Sequence, residues 1–211
     1  MTETSATSPA SRRRSATRER LLDAARDVLA RQGIHGASVE HICEHAGFTR
    51  GAFYSNFASK DELVQALFER EFADLMSGVE EAVDPQTYAG LAPGESLGRI
   101  MDRFLELRPP DRDFFLLHAE FQLRGLRGDI GGAEFNALWR MVGVRISAVV
   151  ERVLADLGLR TSIPVRQLVT ILLGTYDAEL REAVVEDRPL DADLLRVTLP
   201  SLLLAATEPV D

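Results

Sequence analysis

The chain has 211 residues, of which 45% are hydrophobic and 27% charged, the balance of an ordinary globular protein with a full core and a small appendage. Cys43 is the only cysteine, which excludes an intrachain disulfide, and the N-terminus lacks the basic-then-apolar pattern of a secretory signal. No apolar run approaches the roughly 18 residues that a membrane helix needs. We therefore expect an intracellular, cytoplasmic protein that makes no membrane contact.

The charge is distributed unevenly along the chain. The net charge is -9, but residues 1–60 hold 9 Lys and Arg against 6 Asp and Glu, a net of +3. The remaining 151 residues hold 15 basic and 27 acidic groups, a net of -12. A basic end on an acidic body predicts a local contact with a polyanion rather than a general one.

The N-terminal residues predict a disordered arm followed by two helices. Residues 1–14 are rich in Ser and Thr and have too few apolar side chains to pack. Apolar residues at helical spacing then predict a first helix over about 17–32, which Gly33 ends. Ser38 can cap a short second helix, which Gly47 ends.

A third and a fourth helix are predicted directly after this turn. Thr49 can cap a third helix near 50–56. Ser59 and Glu62 form the S-x-x-E capping box of a fourth helix, which runs to about Val83.

Pro and Gly divide the rest of the chain into further helical segments. The breaks are the stretch "DPQTYAGLAPGE", Pro109-Pro110, Gly125 to Gly132, Gly158 to Pro164, and Arg188-Pro189. The segments between them are long enough for helices, and none shows the sustained alternation of a strand. The sequence therefore predicts an all-α fold of about nine helices.

The second predicted helix carries a possible metal-binding motif. His41, Glu44 and His45 stand in the order H-x-x-E-H, which is found in one class of zinc peptidase. A catalytic zinc needs a third protein ligand and a walled site, whereas this helix has only about two turns. We therefore favour a polar face that is solvated or lies beside DNA phosphates, and we predict no metal and no cofactor.

The second and third predicted helices, with the tight turn between them, form a helix-turn-helix unit. Phe48, Phe53 and Phe57 give the third helix an apolar underside that can pack on the second. The other face carries groups suited to base edges and phosphates, with a glycine that permits close approach: Arg50, Gly51, Tyr54, Ser55 and Asn56.

The stretch "TRERLLDAARDVLARQGIHGASVEHICEHAGFTRGAFYSNFASKDEL" resembles the N-terminal domain of TetR-type transcriptional regulators. The shared features are Ala24-Ala25, Gly33, Ala46-Gly47, the G-x-F-Y-x-x-F run from Gly51, and Ser59-Lys60-Asp61-Glu62. The resemblance covers roughly residues 15–75. It implies a DNA-binding domain over 15–75, with its motif at 38–57, after an arm of residues 1–14 and before an effector-binding and dimerisation domain over 76–211.

Carried onto this sequence, the family pattern implies DNA contacts by eight residues. Ser38 and Thr49 cap helices and approach phosphates, Arg50, Gly51 and Ser55 lie near the floor of the major groove, Tyr54 and Asn56 reach the backbone or bases, and Lys60 contacts a phosphate at a helix start. Two of these residues have simpler alternatives. Lys60 could be an exposed helix-start residue, and Tyr54 could be a partly buried core aromatic.

The basic cluster at the end of the predicted arm consists of Arg12, Arg13 and Arg14. These arginines could enter a minor groove. They could equally form a solvated tail, and the sequence leaves both interpretations open.

The resemblance also implies a homodimer, formed through the last two helices at about 164–187 and 190–206, that binds a near-palindromic double-stranded DNA operator. It further implies a small-molecule effector, whose occupancy of a C-terminal pocket changes the spacing of the DNA-binding heads without a chemical step.

The candidate pocket residues combine large apolar surface with a few polar groups. They are Phe104, Phe114, Phe115, His118, Phe121, Gln122, Trp139 and Tyr176. Ordinary core packing is the favoured alternative for any single aromatic residue among them. For His118 we favour a buried, satisfied histidine over an anchor for the effector.

We therefore predict a ligand-responsive, DNA-binding repressor and not an enzyme. An enzyme is the first rival, because His118 with Glu120, or the H-x-x-E-H motif, could serve acid–base or metal chemistry. Against it, the chain has no phosphate-cradling G-x-x-x-x-G-K motif and no second ligand cluster. The second rival is a helical protein of the same fold that binds a protein partner.

Overall fold

The computed structural model describes residues 9–107, 111–128, 132–189 and 191–210, without the side chains of residues 9–12 and Ala192. The helices of this part of the chain are α1 (Pro9–Gly36), α2 (Val39–Ala46), α3 (Arg50–Tyr54), α4 (Lys60–Ala82), α5 (Pro85–Tyr88), α6 (Pro93–Leu107), α7 (Arg112–Arg127), α8 (Gly132–Asp156), α9 (Val165–Val185) and α10 (Ala192–Ala205). Two three-residue strands are also present, β1 (Leu159–Thr161) and β2 (Thr207–Pro209). None of these helices is long and apolar enough to cross a membrane.

The predicted all-α class is confirmed, and one short helix was not predicted. Helix α5 lies inside the segment expected to be a loop. It forms because Pro85 occupies the first turn and the Asp84 carboxylate accepts a hydrogen bond from the backbone N–H of Gln86 at 2.9 Å. The small β1–β2 pairing was also missed, because strands of three residues are too short to show alternation.

Helix α1 begins at Pro9, eight residues before the predicted start. Residues 9–14, predicted as part of the arm, are therefore helical, and residues 1–8 lie outside the described part of the chain. At the other end Gly33 has φ +70°, a conformation that interrupts regular helix and favours glycine. The predicted end of the first helix at Gly33 is thus where its regular geometry stops.

The chain divides into two compact units. The first contains the described residues up to Arg70 together with Leu116–Phe135, and the second contains Glu71–Phe115 and the described residues from Asn136 onward. The predicted C-terminal domain over 76–211 includes the segment Leu116–Phe135, which here lies in the first unit. Its place in the first unit is a product of tertiary packing.

The core of the first unit consists of apolar side chains of α1 to α4. The largest of those fully buried are Leu21, Leu22, Leu29, Ile34, Ile42, Phe53, Phe57, Leu63 and Leu67. From the segment Leu116–Phe135, Phe121 and Phe135 complete an aromatic cluster with Phe68, with ring centroids 4.4 Å and 4.7 Å from that of Phe68. Helix α4 is thereby packed within the first unit along its N-terminal half.

The second unit has its own core. One buried cluster contains Val83, Leu97, Val153, Leu154, Leu168 and Leu203, and another contains Leu105, Leu195 and Leu199. Strands β1 and β2 pair antiparallel, with Arg160 opposite Glu208. The turn between α9 and α10 is fixed by the buried Glu179, whose carboxylate accepts hydrogen bonds from Arg188 and from the backbone N–H of Asp191.

Candidate nucleic-acid interface

Helix α2 and the turn after it have the predicted caps. The Ser38 hydroxyl accepts a hydrogen bond from the backbone N–H of His41 at 3.1 Å, which satisfies one exposed donor of the first turn. Gly47 follows α2 with φ +69°, and its N–H donates to the carbonyls of Cys43 and Glu44. This left-handed residue produces the sharp turn that leads into α3.

Helix α3 is short, capped and two-faced. The Thr49 hydroxyl accepts from the backbone N–H of Ala52 at 3.2 Å. On the inner side Phe53 of α3 and Phe57, three residues after the helix, are fully buried, with ring centroids 5.8 Å apart. Arg50, Gly51, Tyr54 and Ser55 are exposed, so one side of α3 anchors the helix and the other is available to a partner.

Tyr54 is half exposed and lies at the edge of the core. Its exposed fraction is 50%, and its ring meets that of Phe53 edge-on at 5.3 Å. The phenol therefore stands at the edge of the core with one side in solvent. Contact of Tyr54 with DNA stays a prediction.

Three arginines of α1 position the helix-turn-helix. The Arg14 guanidinium donates to the carbonyl of Ser55 at 3.0 Å, and that of Arg20 donates to the carbonyl of Ala46 at 3.0 Å. Arg20 also lies over the ring of Phe48 at 4.6 Å, and Arg18 lies over that of Phe57 at 5.1 Å. Cations at the C-terminal ends of α2 and α3 satisfy carbonyls that have no partner within the helix.

The predicted basic arm is only partly described. Arg14 is held by the contact with Ser55, and Arg13 is an exposed residue of α1, so in the structure both belong to a helix. The side chain of Arg12 lies outside the described part of the structure. Entry of these arginines into a minor groove stays a prediction.

Arg50, the first residue of α3, is held by two exposed neighbours. Its Nη1 lies 2.8 Å from Oε1 of Glu40 in the first turn of α2, and its guanidinium carbon is 5.9 Å from the centre of the Tyr54 ring. A hydrogen bond with Tyr54 and the charge of Glu40 raise the pKa of Arg50. The pKa of Glu40 is lowered by a hydrogen bond from its own backbone N–H and by the charge of Arg50.

The polar groups at the end of α3 turn back onto the helix. The Ser55 hydroxyl donates to the carbonyl of Ala52 at 2.8 Å, and the Asn56 Nδ2 donates to the same carbonyl at 2.8 Å. The Asn56 Oδ1 is buried without a hydrogen-bond partner among the described residues. Contacts of Ser55 and Asn56 with DNA stay predictions, and for Asn56 such a contact requires the side chain to rotate.

Lys60 is half-buried, and its ammonium contacts the protein backbone. Its ammonium donates to the carbonyls of Ile34 and Ala37, each at 2.8 Å, and so holds the segment that links α1 to α2. An ammonium has three N–H donors, so one remains for another acceptor. The predicted phosphate contact stays a prediction, and the structure adds a role in fixing the backbone.

The C-terminal half of α7 contributes further contacts within the first unit. Glu120 accepts from the backbone N–H of Ile34 at 3.4 Å, and Arg124 forms an ion pair with Asp61 at 3.2 Å. Neither contact could be found from the sequence, because the partners are 86 and 63 residues apart.

The two histidines of the H-x-x-E-H motif have separate partners. The His41 ring is 3.1 Å from the side-chain oxygen of Gln32, and the His45 ring is 3.0 Å from a carboxylate oxygen of Asp27. No group of three His, Cys, Asp or Glu side chains within the described ranges is arranged to hold a metal ion. The motif is explained as a polar helix face that contacts α1.

The second unit contains a second match to a catalytic sequence motif. Residues 94–98 read G-E-S-L-G, which matches the G-x-S-x-G of a serine nucleophile on a strand-to-helix turn. Here the serine, Ser96, lies within α6 and is fully buried. Its hydroxyl donates to the backbone carbonyls of Leu91 and Tyr88, at 3.4 Å and 3.5 Å. Ser96 is therefore a structural residue.

The predicted pocket residues of the first unit have the environment of a core. His118 is buried, and its Nε2 lies 3.4 Å from Nε2 of Gln122. Phe121 is 5% exposed and packs against Phe68 and Phe135. These contacts fit the alternative that the sequence favoured for His118 and for the single aromatics.

The other five pocket candidates lie in the second unit. Phe104 and Tyr176 are in ring contact at 6.1 Å beside the cluster of Leu105, Leu195 and Leu199, and Trp139 meets Phe72 edge-on at 5.7 Å. Phe114 and Phe115 are half-buried in α7. An open cleft of about 360 Å³ in this unit is lined by other, polar residues: Thr87, Arg99, Asp102, Arg103, Glu106 and Arg196.

The capped α2–turn–α3 unit, with its anchored inner face and its exposed polar outer face, defines a helix-turn-helix DNA-binding protein. The sequence profile of the family described as "Bacterial regulatory proteins, tetR family" matches residues 21–67, which include this unit. The DNA-binding region of the chain, residues 21–67, belongs to the TetR family of transcriptional regulators. This is a family of regulators and not of enzymes, as predicted.

Individual relatives agree with this assignment. The regulator UidR of Escherichia coli K12 is 32% identical over 68 residues, which cover 32% of this chain and 35% of UidR. The chain thus matches about a third of the length of that relative. The regulator SrpR of Pseudomonas putida is 28% identical over 193 residues, with 79% of this chain and 86% of SrpR covered.

One similar solved structure contains a ligand. It is the transcriptional regulator FadR from Bacillus subtilis in complex with stearoyl-CoA, which is 20% identical with a TM-score of 0.68 and covers 89% of this chain and 98% of that one. At this identity the likeness concerns the fold.

Proposed function

We propose that this protein is a transcriptional repressor that binds a near-palindromic DNA operator as a homodimer and releases it when a small-molecule effector binds. The observation that carries the proposal is the division of α3. Phe53, with Phe57 just after the helix, fixes one side of it in the core, while Arg50, Gly51 and Tyr54 are exposed on the other. A short rigid helix with a polar outer face fits the major groove.

Gly51 supports the same conclusion independently. A Cβ at this position would meet only the Thr49 hydroxyl oxygen, at an ordinary contact distance of 3.7 Å. Packing within the chain therefore does not require a glycine in the first turn of α3, although glycine destabilises a helix relative to alanine. Close approach of the helix backbone to DNA is a reason for its presence.

The last two helices support the dimeric state. Ile171 and Val185 of α9 and Leu194 and Val197 of α10 are large apolar side chains that are 42% to 78% exposed. A set of such residues on neighbouring helices is typical of a protein–protein interface. Two copies joined there would present two α3 helices, and a two-fold dimer reads two half-sites.

The effector is proposed from the fold and from the ligand of a relative. Because a similar structure, FadR from Bacillus subtilis, is a complex with stearoyl-CoA, a long-chain acyl-CoA is the first effector to test. The paired rings of Phe104 and Tyr176 in the second unit are candidate contacts for an apolar chain.

The test is selection of binding sites from a random DNA pool, followed by a salt titration on the selected site. We expect a short inverted repeat, bound by two chains, whose affinity falls steeply with salt because phosphate contacts release counterions. Tyr54→Ala should weaken this binding and leave the dimer folded. Folded dimer that enriches no sequence would contradict the proposal and favour a protein partner.

Two controls separate the parts of the proposal. Val197→Glu should break the dimer and the operator complex, whereas Val144→Glu, at a valine of α8 with a similar exposed fraction of 63% against 67%, should leave both intact. Stearoyl-CoA should release the operator, while coenzyme A and stearate alone should not. Dissociation by none of the three would exclude this effector class without affecting the assignment of the interface.

A further inference from the structure

We propose that Glu40 is a specificity-determining residue, whose carboxylate holds the guanidinium of Arg50 so that the arginine reads a base edge rather than a phosphate. The inference rests on the proposed operator binding. Glu40 stands in the first turn of α2 and Arg50 at the start of α3, and the two are joined by a 2.8 Å contact between Oε1 and Nη1.

The guanidinium is restrained from two sides. Glu40 takes one of its terminal nitrogens, and the Tyr54 ring lies 5.9 Å from its central carbon. An arginine has five N–H donors, so this arrangement leaves donors for a bidentate contact. A side chain with many rotamers is thus held near one orientation before DNA arrives, which lowers the entropy lost on binding.

Stability does not account for the ion pair. The side chains of Arg50 and Glu40 are 61% and 54% exposed. Ion pairs as exposed as this contribute little to folding, because water and salt screen them.

A carboxylate at this position opposes DNA binding in general. The eight residues that the family pattern places at the DNA are all neutral or basic: Ser38, Thr49, Arg50, Gly51, Tyr54, Ser55, Asn56 and Lys60. Glu40, which contacts Arg50, adds a negative charge beside this set, where it repels phosphates and lowers affinity for every sequence.

The same charge favours a base over a phosphate as the partner of Arg50. An arginine already paired with a carboxylate has little net charge left to attract a phosphate, and the carboxylate repels that phosphate directly. The neutral O6 and N7 acceptors of guanine suffer no such repulsion, and their spacing matches two arginine donors. Glu40 thus lowers the affinity for all DNA but increases the discrimination at one base pair. Repulsion of this kind disfavours binding to the wrong partners.

The matched control is Glu44, a second exposed carboxylate of α2. Its side chain contacts no partner among the described residues, so Glu44→Gln removes the same charge from the same helix without releasing Arg50. The experiment measures the affinity of wild type, E40Q, E44Q and Glu40→Asp for the selected operator and for operators with each base pair replaced in turn. Thermal denaturation checks that each variant is folded.

We expect E44Q to strengthen binding to all these sites by one common factor. E40Q should strengthen binding to the mismatched sites more than to the operator, so that discrimination at one base pair falls about tenfold. Glu40→Asp keeps the charge and the helix-start position but is one methylene shorter. It should lose the same discrimination without the general gain in affinity.

The base pair affected must be the one at which Arg50→Ala loses discrimination, and E40Q should add no further loss in the Arg50→Ala background. Equal factors for E40Q on the operator and on every replaced site would overturn the inference and make Glu40 a helix-start charge. Wild-type protein that binds all DNA equally would overturn the proposed operator binding and this inference together.

Discussion

Two groups of basic side chains in the first unit differ in what they contact. Arg14, Arg20 and Lys60 donate to backbone carbonyls at helix ends or in the segment after α1. Arg50 instead makes its contacts with the exposed side chains of Glu40 and Tyr54. The net positive charge of residues 1–60 is therefore not a count of DNA contacts, since part of it satisfies the backbone of the helix-turn-helix.

The largest effect is expected for a substitution of Arg50. It should distinguish Arg50 from the backbone-bound group, which consists of Arg14, Arg20 and Lys60. Arg50→Ala should weaken operator binding by about 1–3 kcal/mol, as for loss of a bidentate base contact, and relax specificity at one position. The melting temperature should stay unchanged, because an exposed ion pair contributes little to folding. Affinity measurements and thermal denaturation on one preparation test both statements. A clear fall in melting temperature would place Arg50 in the backbone-bound group.

In the second unit a buried carboxylate, that of Glu179, accepts hydrogen bonds from both a side chain and the backbone. Glu179 is 6% exposed and accepts hydrogen bonds from Arg188 at 2.7 Å and from the N–H of Asp191 at 2.9 Å. Glu179→Gln should lower the free energy of unfolding by about 2–3 kcal/mol, because Arg188 loses its buried partner. Glu186→Gln, which removes the exposed partner of the same arginine, should cost well under about 1 kcal/mol.

This contact also predicts a dependence on pH. The hydrogen bond from Arg188 lowers the pKa of Glu179 below its usual value. A carboxylate with a lowered folded-state pKa stabilises the protein fully above its unfolded pKa of about 4.3, and this stabilisation is lost as the pH falls through the folded value. The difference in stability between wild type and Glu179→Gln, from denaturation at a series of pH values, should shrink below about pH 4. A constant difference would exclude the carboxylate charge as its source.

A substitution of Lys60 tests whether one side chain can both bind backbone carbonyls and contact DNA. Lys60→Met should cost about 2 kcal/mol of folding stability, because two charge-assisted hydrogen bonds to carbonyls are lost. If its third donor also contacts a phosphate, the slope of log affinity against log salt should fall by about 1. A lower melting temperature with an unchanged slope would assign Lys60 to the backbone alone.

Arg20 should behave as a structural residue. Arg20→Ala removes a hydrogen bond to Ala46 and a contact with the Phe48 ring, which together predict a loss of about 1 kcal/mol of stability. Arg31→Ala is the control, since Arg31 is an exposed arginine of the same helix without a partner in the described ranges. Equal melting temperatures for the two variants would remove the positioning role of Arg20.

The smallest effect is expected for a substitution of Gly51, which should stabilise the fold and weaken operator binding. Gly51→Ala should raise the free energy of unfolding by about 0.5–1 kcal/mol, because alanine is the better helix former and the Cβ meets only Thr49. The same methyl group should weaken operator binding if the α3 backbone approaches the DNA closely. Unchanged affinity in the more stable variant would show that no such approach occurs.

The elements of the helix-turn-helix were predictable because their signals are local. Ser38, Gly47 and Thr49 cap or end helices within four residues of their own positions, and the structure confirms all three. Ser59 also accepts from the N–H of Glu62 as the capping box requires, although the Glu62 carboxylate reaches the N–H of Ala58 rather than that of Ser59. The start of α1 was wrong, because a Ser-, Thr- and Arg-rich segment gives no apolar periodicity.

The sequence by itself determined the all-α class, the caps and turn of the helix-turn-helix, and which face of α3 is apolar. These depend on hydrogen bonds and periodicities that span only a few residues. Tertiary structure alone decided that Lys60 holds the end of α1, that Glu40 pairs with Arg50, and that Leu116–Phe135 joins the first unit. Such contacts join residues that are distant in the chain, and no local pattern records which charged side chain will be near which carbonyl once the core has packed.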